Sequence, residues 1–181
     1  MSRVIIKDKT FETSITEADI QKRVKAVADR INQNFKGRVP VLLSVLNGSF
    51  IFAADLMRYL TIECEISFVK VASYAGTSST RKIKKLIGVN ADLKGRDVII
   101  VEDIVDTGVT MKNMLAMLSD YGPASLHICT LLVKPEKLTV PLNIEYCAME
   151  IPNDFIVGYG LDYDQLGRNL RDIYTVVEDK K

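Results

Sequence analysis

The sequence predicts an α/β protein with a twisted, largely parallel β-sheet, helices on both faces and a small cap. Apolar runs of strand length alternate with segments in which apolar residues recur at helical spacing, as in repeated βα units. The strand-like runs are continuously apolar and rich in β-branched residues, which is typical of parallel strands covered on both faces. After Pro135 this alternation stops, and short strands and turns follow. The 181 residues suffice for one domain with a sizeable core, and we expect residues 1–181 to form it.

The first half of the chain begins with a predicted helix and continues with a strand–turn–helix unit. Thr16 is the expected N-cap of the first helix, and Gly37 lies beyond its end. The apolar positions with helical spacing are Ile20, Val24, Val27 and Ile31. Residues 39–46 form an apolar run that predicts a strand, and residues 49–60 have the pattern of a helix. The first helix is therefore expected to pack one apolar face on the core.

The remaining elements continue the alternation and then build the cap. They are a strand over 64–72, a loop over 73–80, a strand over 98–104, a helix over 109–121 and a strand over 125–133. We expect the loop to be mobile, because it is small, polar and without periodicity. Residues 145–151 and 155–159, together with a C-terminal stretch and the N-terminal strand, are expected to form the cap, which spans roughly 140–175.

Composition and charge exclude several classes of partner. The formal net charge is +1, so no large basic field predicts binding to nucleic acid or to an anionic membrane. The basic residues at 81–85 are read as a solvated edge, because no aromatic platform is interleaved with them. No apolar run approaches the ~18 residues of a membrane span, and we expect a cytoplasmic protein. Three widely separated cysteines within apolar stretches predict core thiols rather than disulfides.

The most informative segment is the end of the strand over 98–104. Its apolar run leads directly into Glu102, Asp103 and Asp106, and then into Thr107, Gly108 and Thr110. Ligands of open α/β sheets bind beyond the carboxyl ends of such strands, and a small turn at a helix start points backbone N–H groups at an anion. Carboxylates beside an anion need sugar hydroxyls or a divalent cation as partners, and Mg²⁺ suits an all-oxygen set. The segment therefore predicts a site for a phosphorylated sugar.

This segment resembles the signature with which type I phosphoribosyltransferases bind phosphoribosyl pyrophosphate (PRPP). The resemblance implies that Glu102 and Asp103 contact the ribose, and that the loop over 106–110, including Val109, holds the 5′-phosphate. It also implies the fold of that family, in which the small cap is called the hood. A bare Asp-Thr-Gly is a weak motif, but the complete string at a strand-to-helix junction is specific. An acidic turn that merely caps a helix is the structural alternative.

Further segments resemble the hypoxanthine-guanine phosphoribosyltransferase family and extend the similarity from residue 39 to about 174. The resemblance implies pyrophosphate contacts from Leu46, Asn47, Gly48, Ser73 and Arg168, a catalytic lid at Tyr74, and purine contacts from Lys134, Phe155, Ile156 and Asp162. Asn47 departs from the pattern, because this loop often carries a lysine. An amide cannot neutralise pyrophosphate as a cation does, so more of that charge is expected to fall on Mg²⁺ and on Arg168.

The resemblance implies transfer of the phosphoribosyl group from PRPP to hypoxanthine or guanine, by a homo-oligomer that is a dimer or a tetramer. In this scheme Asp106 accepts the proton from purine N7, and Mg²⁺ is held by Glu102, Asp103 and Asp162. A PRPP- or purine-sensing regulator of the same fold and a xanthine-preferring enzyme are the alternatives. At the residue level, Phe155 could be strand core, Lys134 a solvated strand end, Tyr74 an exposed loop aromatic, and Asp162 with Arg168 a surface ion pair.

Overall fold

The main sheet of the computed structural model, which describes residues 2–73 and 83–177, has the predicted parallel architecture. Its strand order is β5-β4-β3-β6-β7-β8, with only the edge strand β5 antiparallel. The strands are β3 Val41–Leu46, β4 Glu65–Ser73, β5 Ile83–Ile87, β6 Asp97–Val105, β7 Ser125–Val133 and β8 Tyr146–Glu150. β6 lies between β3 and β7, so its carboxyl end opens at the centre of the sheet.

Helices cover both faces of this sheet, as the sequence predicts. The helices are α1 Glu17–Asn34, α2 Phe50–Tyr59 and α3 Val109–Ser119. Alternate residues of one strand point to opposite faces, so Leu42 of β3 packs with α1 and α2, whereas Leu43 packs with α3. The predicted N-cap of α1 is confirmed, because the Thr16 side chain accepts a hydrogen bond from the Asp19 N–H. The helix that precedes the sheet thus shares a face with the helix that follows β3.

A second, antiparallel sheet forms the hood. Its order is β1-β2-β10-β9, with β1 Arg3–Ile6, β2 Lys9–Ile15, β9 Ile156–Val157 and β10 Ile173–Val177. One part of the predicted cap is wrong: residues 146–150 form β8, which extends the main sheet parallel to β7. The reason is that Tyr146 and Met149 are buried in the core that α1 covers, and a short apolar alternation does not show which sheet a strand joins. None of the described helices is long and apolar enough to cross a membrane.

Candidate active site

The junction between β6 and α3 forms the floor of the site. The buried apolar run of β6 ends at Val101, and the strand continues through Glu102 and Asp103 to Val105. Residues 106–110, called here the β6 loop, then turn into α3, whose N-cap Gly108 has a φ of 79°. A cavity of about 170 Å³ is lined by this loop together with Glu102, Ile104, Val105 and Met111. The turn is small enough to bring hydroxyls and the first N–H groups of a helix to one cavity, as an anion requires.

Packing from behind explains why position 108 is a glycine. A Cβ there would lie 2.8 Å from a methyl carbon of Leu142 and 3.0 Å from one of Val140, and the backbone φ lies in the left-handed region. The same covering segment binds the loop directly, because the Thr139 N–H and hydroxyl both donate to the Thr107 carbonyl, at 3.1 and 3.2 Å. The β6 loop is therefore held by the chain that follows β7.

Glu102 and Asp103 are adjacent carboxylates with an unfavourable electrostatic environment. Burial raises the pKa of Glu102 well above its ordinary value, and the charge of Asp103 raises it further. A bound cation would relieve both effects, since Mg²⁺ is usually held by one or two carboxylates with the rest of its ligands from water and substrate phosphates. The pair thus fits such an ion. Among the residues that the structure describes, however, no three acidic, histidine or cysteine side chains are assembled as a metal site.

The loop after β3 lies against the acidic pair. The peptide between Leu46 and Asn47 is cis, and Gly48 lies so close to Asp103 that a Cβ at position 48 would collide with the carboxylate. We call residues 47–49 the β3 loop. On its other side, the backbone carbonyl of Gly48 is packed against Gly160 of the hood, where a Cβ would again collide. The β3 loop is therefore placed between the Asp103 carboxylate and a turn of the hood, at distances that only glycine permits.

Arg168 and Asp162 meet at the hood edge of the site. The guanidinium Nη2 lies 2.6 Å from Asp162 Oδ1, and Nη1 donates to the Gly160 carbonyl at 2.7 Å. The predicted alternative of an ion pair is therefore present, but it is partly buried and attached to the turn that contacts Gly48. Asp162 Oδ2 also accepts from the Gln165 N–H, so both of its oxygens are engaged. Within the described residues, Asp162 is not assembled with Glu102 and Asp103 as a metal site.

Asp106 is paired with a residue that the sequence analysis missed. Lys137 Nζ lies 3.1 Å from Asp106 Oδ2, whereas the buried Oδ1 has no hydrogen-bond partner in the described part of the chain. Lys137 ends a 3₁₀ turn, Pro135–Lys137, directly after β7. Its position three residues after Lys134, past a proline that begins a turn, was the available signal. One oxygen of Asp106 is therefore held by the Lys137 ammonium, and the other is left to accept a hydrogen bond or a proton from a ligand.

Lys134 is buried at the same sheet edge, directly after β7, where its N–H donates to the Val105 carbonyl of β6. It is only 7% exposed, and its Nζ donates to the Asp154 carbonyl at 2.7 Å, so the alternative of a solvated strand end is wrong. Burial lowers the pKa of its ammonium, while the nearby charge of Asp106 raises it. An ammonium has three donors, so two remain for a ligand.

The aromatic residue predicted beside Lys134 presents an open face. Phe155 is 44% exposed although Ile156, which follows it, is buried in the core. The Phe155 ring is held by edge contact with Tyr163 at 5.6 Å between centroids and by Phe11 at 6.1 Å. A held aromatic ring with an exposed face suits stacking against a planar ligand.

Most of the predicted site residues that the structure describes converge on one edge of the main sheet. Ser73 is the last residue of β4, and only its backbone pairing with Ile83 is described. Tyr74, the predicted lid residue, lies outside the described residues, as does most of the predicted loop.

Comparison with known proteins agrees with this arrangement. Residues 13–164 match the family model described as the phosphoribosyl transferase domain. The chain is 42% identical over 171 residues to a hypoxanthine phosphoribosyltransferase of Escherichia coli K12, a match that covers 93% of this chain and 96% of that protein.

Solved structures of similar proteins have the same fold over nearly the whole chain. A hypoxanthine-guanine phosphoribosyltransferase of Bacillus anthracis has 41% identity and a TM-score of 0.88, and covers 92% of this chain and 98% of its own. A hypoxanthine phosphoribosyl transferase of Trypanosoma cruzi, studied for the role of its C-terminal region in oligomeric state and activity, has 38% identity and a TM-score of 0.88. That match covers 96% of this chain and 95% of the Trypanosoma protein.

Proposed function

Because the chain belongs to the phosphoribosyl transferase domain family, we propose that it transfers the 5-phosphoribosyl group of PRPP to hypoxanthine or guanine. The products are the purine nucleoside monophosphate and pyrophosphate, as in purine salvage. The observation that carries the purine half of the proposal is the buried ammonium of Lys134, at the sheet edge that also holds the carboxylates and the β6 loop. A donor buried there suits the O6 acceptor of a 6-oxopurine.

PRPP binding is assigned to three parts of the site. The β6 loop takes the terminal 5′-phosphate through Thr107, Thr110 and backbone N–H groups, which leaves Glu102 and Asp103 for the ribose hydroxyls. The β3 loop and Arg168 take the pyrophosphate, whose negative charge the amide of Asn47 does not neutralise. Holding both ends of the substrate directs its binding energy to the alignment of the anomeric carbon between them.

Mg²⁺ belongs to this proposal as the partner of Glu102 and Asp103, where it would neutralise the leaving pyrophosphate. Asp162 is assigned a lesser part, because Arg168 and the Gln165 N–H already occupy its oxygens.

The transfer step forms the bond between purine N9 and C1′ and breaks the bond between C1′ and the pyrophosphate oxygen. The N7 proton of the purine passes to Asp106, and its Oδ1 is the acceptor because Lys137 already occupies Oδ2. Lys134 donates to O6, and Phe155 stacks on the ring. The carboxylate of Asp103 stabilises the positive charge that develops on the ribose.

The hood and the parallel sheet are proposed to act as one domain over residues 1–181, because Ile156 and Ile173 of the hood are buried in the same core as Leu42 of the main sheet. We also propose a homo-oligomer and a cytoplasmic location. The latter agrees with the three cysteines, which are free thiols as in a reducing compartment.

The test is a spectrophotometric assay with PRPP, Mg²⁺ and a panel of hypoxanthine, guanine, xanthine and adenine. We expect efficient turnover of the first two and negligible turnover of adenine, and the Asp106→Asn variant serves as the inactive control. A preference for xanthine would select the alternative substrate. Tight PRPP binding without turnover of any base would reject the enzyme and favour a sensing protein.

A further inference from the structure

A hydrogen-bond network behind the site joins the hood to both helices on one face of the main sheet. The Tyr159 hydroxyl of the hood donates to Asp55 Oδ2 of α2 at 2.7 Å, and Gln21 of α1 donates to the same oxygen. Tyr59 of α2 donates to Gln21 Oε1 at 2.9 Å. Tyr159 is only 3% exposed, and burial followed by the Asp55 contact raises its pKa, so the hydroxyl keeps its proton. None of these side chains contacts the substrate in the proposed mechanism.

The backbone beside Tyr159 is part of the candidate active site. Tyr159 has a φ of 49° and its N–H donates to the Leu170 carbonyl. The next residue, Gly160, is packed on the Gly48 carbonyl and exchanges two hydrogen bonds with Arg168. In these, the Gly160 N–H donates to the Arg168 carbonyl at 3.0 Å, and Arg168 Nη1 donates to the Gly160 carbonyl at 2.7 Å. The arginine is thus attached to the turn that the Tyr159 side chain anchors.

The other end of the anchor is attached to the β3 loop. Asp55 lies on α2, which begins at Phe50, directly after that loop. Because a helix is stiff over its first turns, Asp55 and the β3 loop move together. The contact between Tyr159 and Asp55 therefore joins the two groups, Arg168 and the β3 loop, between which a pyrophosphate would bind.

We propose that Tyr159 is a positioning residue for pyrophosphate. Its hydrogen bond to Asp55 sets the distance between the Arg168 guanidinium and the β3 loop. The inference rests on the proposed function and deepens it, since it concerns the pyrophosphate half of the PRPP site. The position of Arg168 matters more in this chain because Asn47 supplies no cation to the β3 loop. The binding of pyrophosphate therefore depends more strongly on where the Arg168 guanidinium is held.

The experiment compares Tyr159→Phe with Tyr59→Phe. Both remove one hydroxyl from the same network and keep the ring, but only the first cuts the link to the hood. For Tyr159→Phe we expect the KM for PRPP and the Kd for Mg²⁺-pyrophosphate to rise roughly five- to twentyfold. This is only part of the effect of a lost hydrogen bond to a charged group, because Tyr159 acts on the ligand through Arg168. The KM for hypoxanthine and kcat should stay within about twofold, and the Gly160 amide should exchange hydrogen faster. Tyr59→Phe should change none of these.

Two Asp55 variants separate positioning from folding. Asp55→Asn keeps an oxygen acceptor for Tyr159 and should retain PRPP affinity, whereas Asp55→Ala should reproduce the Tyr159→Phe effect even if the latter does not fold. The proposal is overturned if Tyr159→Phe and Tyr59→Phe lower the Tm alike and leave pyrophosphate affinity unchanged. Pyrophosphate titration and amide exchange need no turnover, so they decide the role of Tyr159 even if the wild type transfers no phosphoribosyl group.

Discussion

Replacing Lys134 by methionine should separate purine selection from every other property of the site. Methionine has a similar length and keeps the apolar contacts of the lysine stem, but it cannot donate to O6 of the base. We expect kcat/KM for hypoxanthine and guanine to fall strongly, while the Kd for PRPP stays within a few-fold. Adenine carries an amino group at that position, so its slow turnover should not fall and the selectivity between the bases should shrink.

The size of the loss follows from the burial of Lys134. A hydrogen bond from a charged donor contributes about 1.5–3 kcal/mol, and leaving a buried O6 without a partner costs about 1–3 kcal/mol more. Because these overlap in part, we expect a loss of about 3–4 kcal/mol, or roughly 10²- to 10³-fold in kcat/KM. The Asp154 carbonyl loses the same donor, but Asp154 is exposed, so water can replace it.

The stability of Lys134→Met at pH 7 should not fall along with its activity. Burial lowers the pKa of Lys134, so the unfolded chain binds this proton more tightly than the folded one does. The wild type should therefore gain stability as the pH rises from the lowered pKa toward the ordinary value, and at neutral pH the buried charge is a cost. Lys134→Met should unfold no more easily at pH 7 and should lose that alkaline gain.

The assay is kcat/KM for hypoxanthine, guanine and adenine at saturating PRPP, together with urea unfolding at pH 7 and pH 10. Lys112→Met, at an exposed position of α3, is the matched control and should behave as the wild type in both. An unaltered base profile in Lys134→Met would remove this lysine from the purine site. A large drop in the stability of Lys134→Met at pH 7 would refute the inference that the buried ammonium destabilises the folded protein.

Three further predictions concern the carboxylates. Asp106→Asn should lower kcat by roughly 10²-fold or more and leave the Kd for PRPP within a few-fold, and collapse of PRPP binding with turnover preserved would make Asp106 a scaffold of the loop. Glu102→Gln should raise the Tm of the free protein at pH 7, because the pKa of Glu102 is raised and the wild type loses stability as the pH rises through that pKa. The affinity of this variant for PRPP should fall. A chelator should abolish turnover and added Mg²⁺ should restore it, whereas full turnover in excess chelator would contradict the metal role.

The features of this protein that its sequence determines are local ones. The run of β6, the carboxylates after it and the small turn are contiguous, so their order along the chain already places them at one strand end. The N-cap at Thr16 and the strand Ser125–Val133 are likewise set by neighbours within a few residues, and the structure has both where they were predicted. A binding site whose residues lie in one stretch of the chain can therefore be predicted before the fold is known.

Contacts between distant segments were decided only by the tertiary structure. Gly48 contacts Asp103 on one side and Gly160 on the other, and Lys137 contacts Asp106. The sequence around each of these residues does not indicate which distant residue it will contact. β8 joined the main sheet rather than the hood for the same reason, since its short apolar pattern suits either sheet and the burial of Tyr146 decided between them. Periodicity shows that a face is buried, but which surface buries it depends on how the whole chain packs.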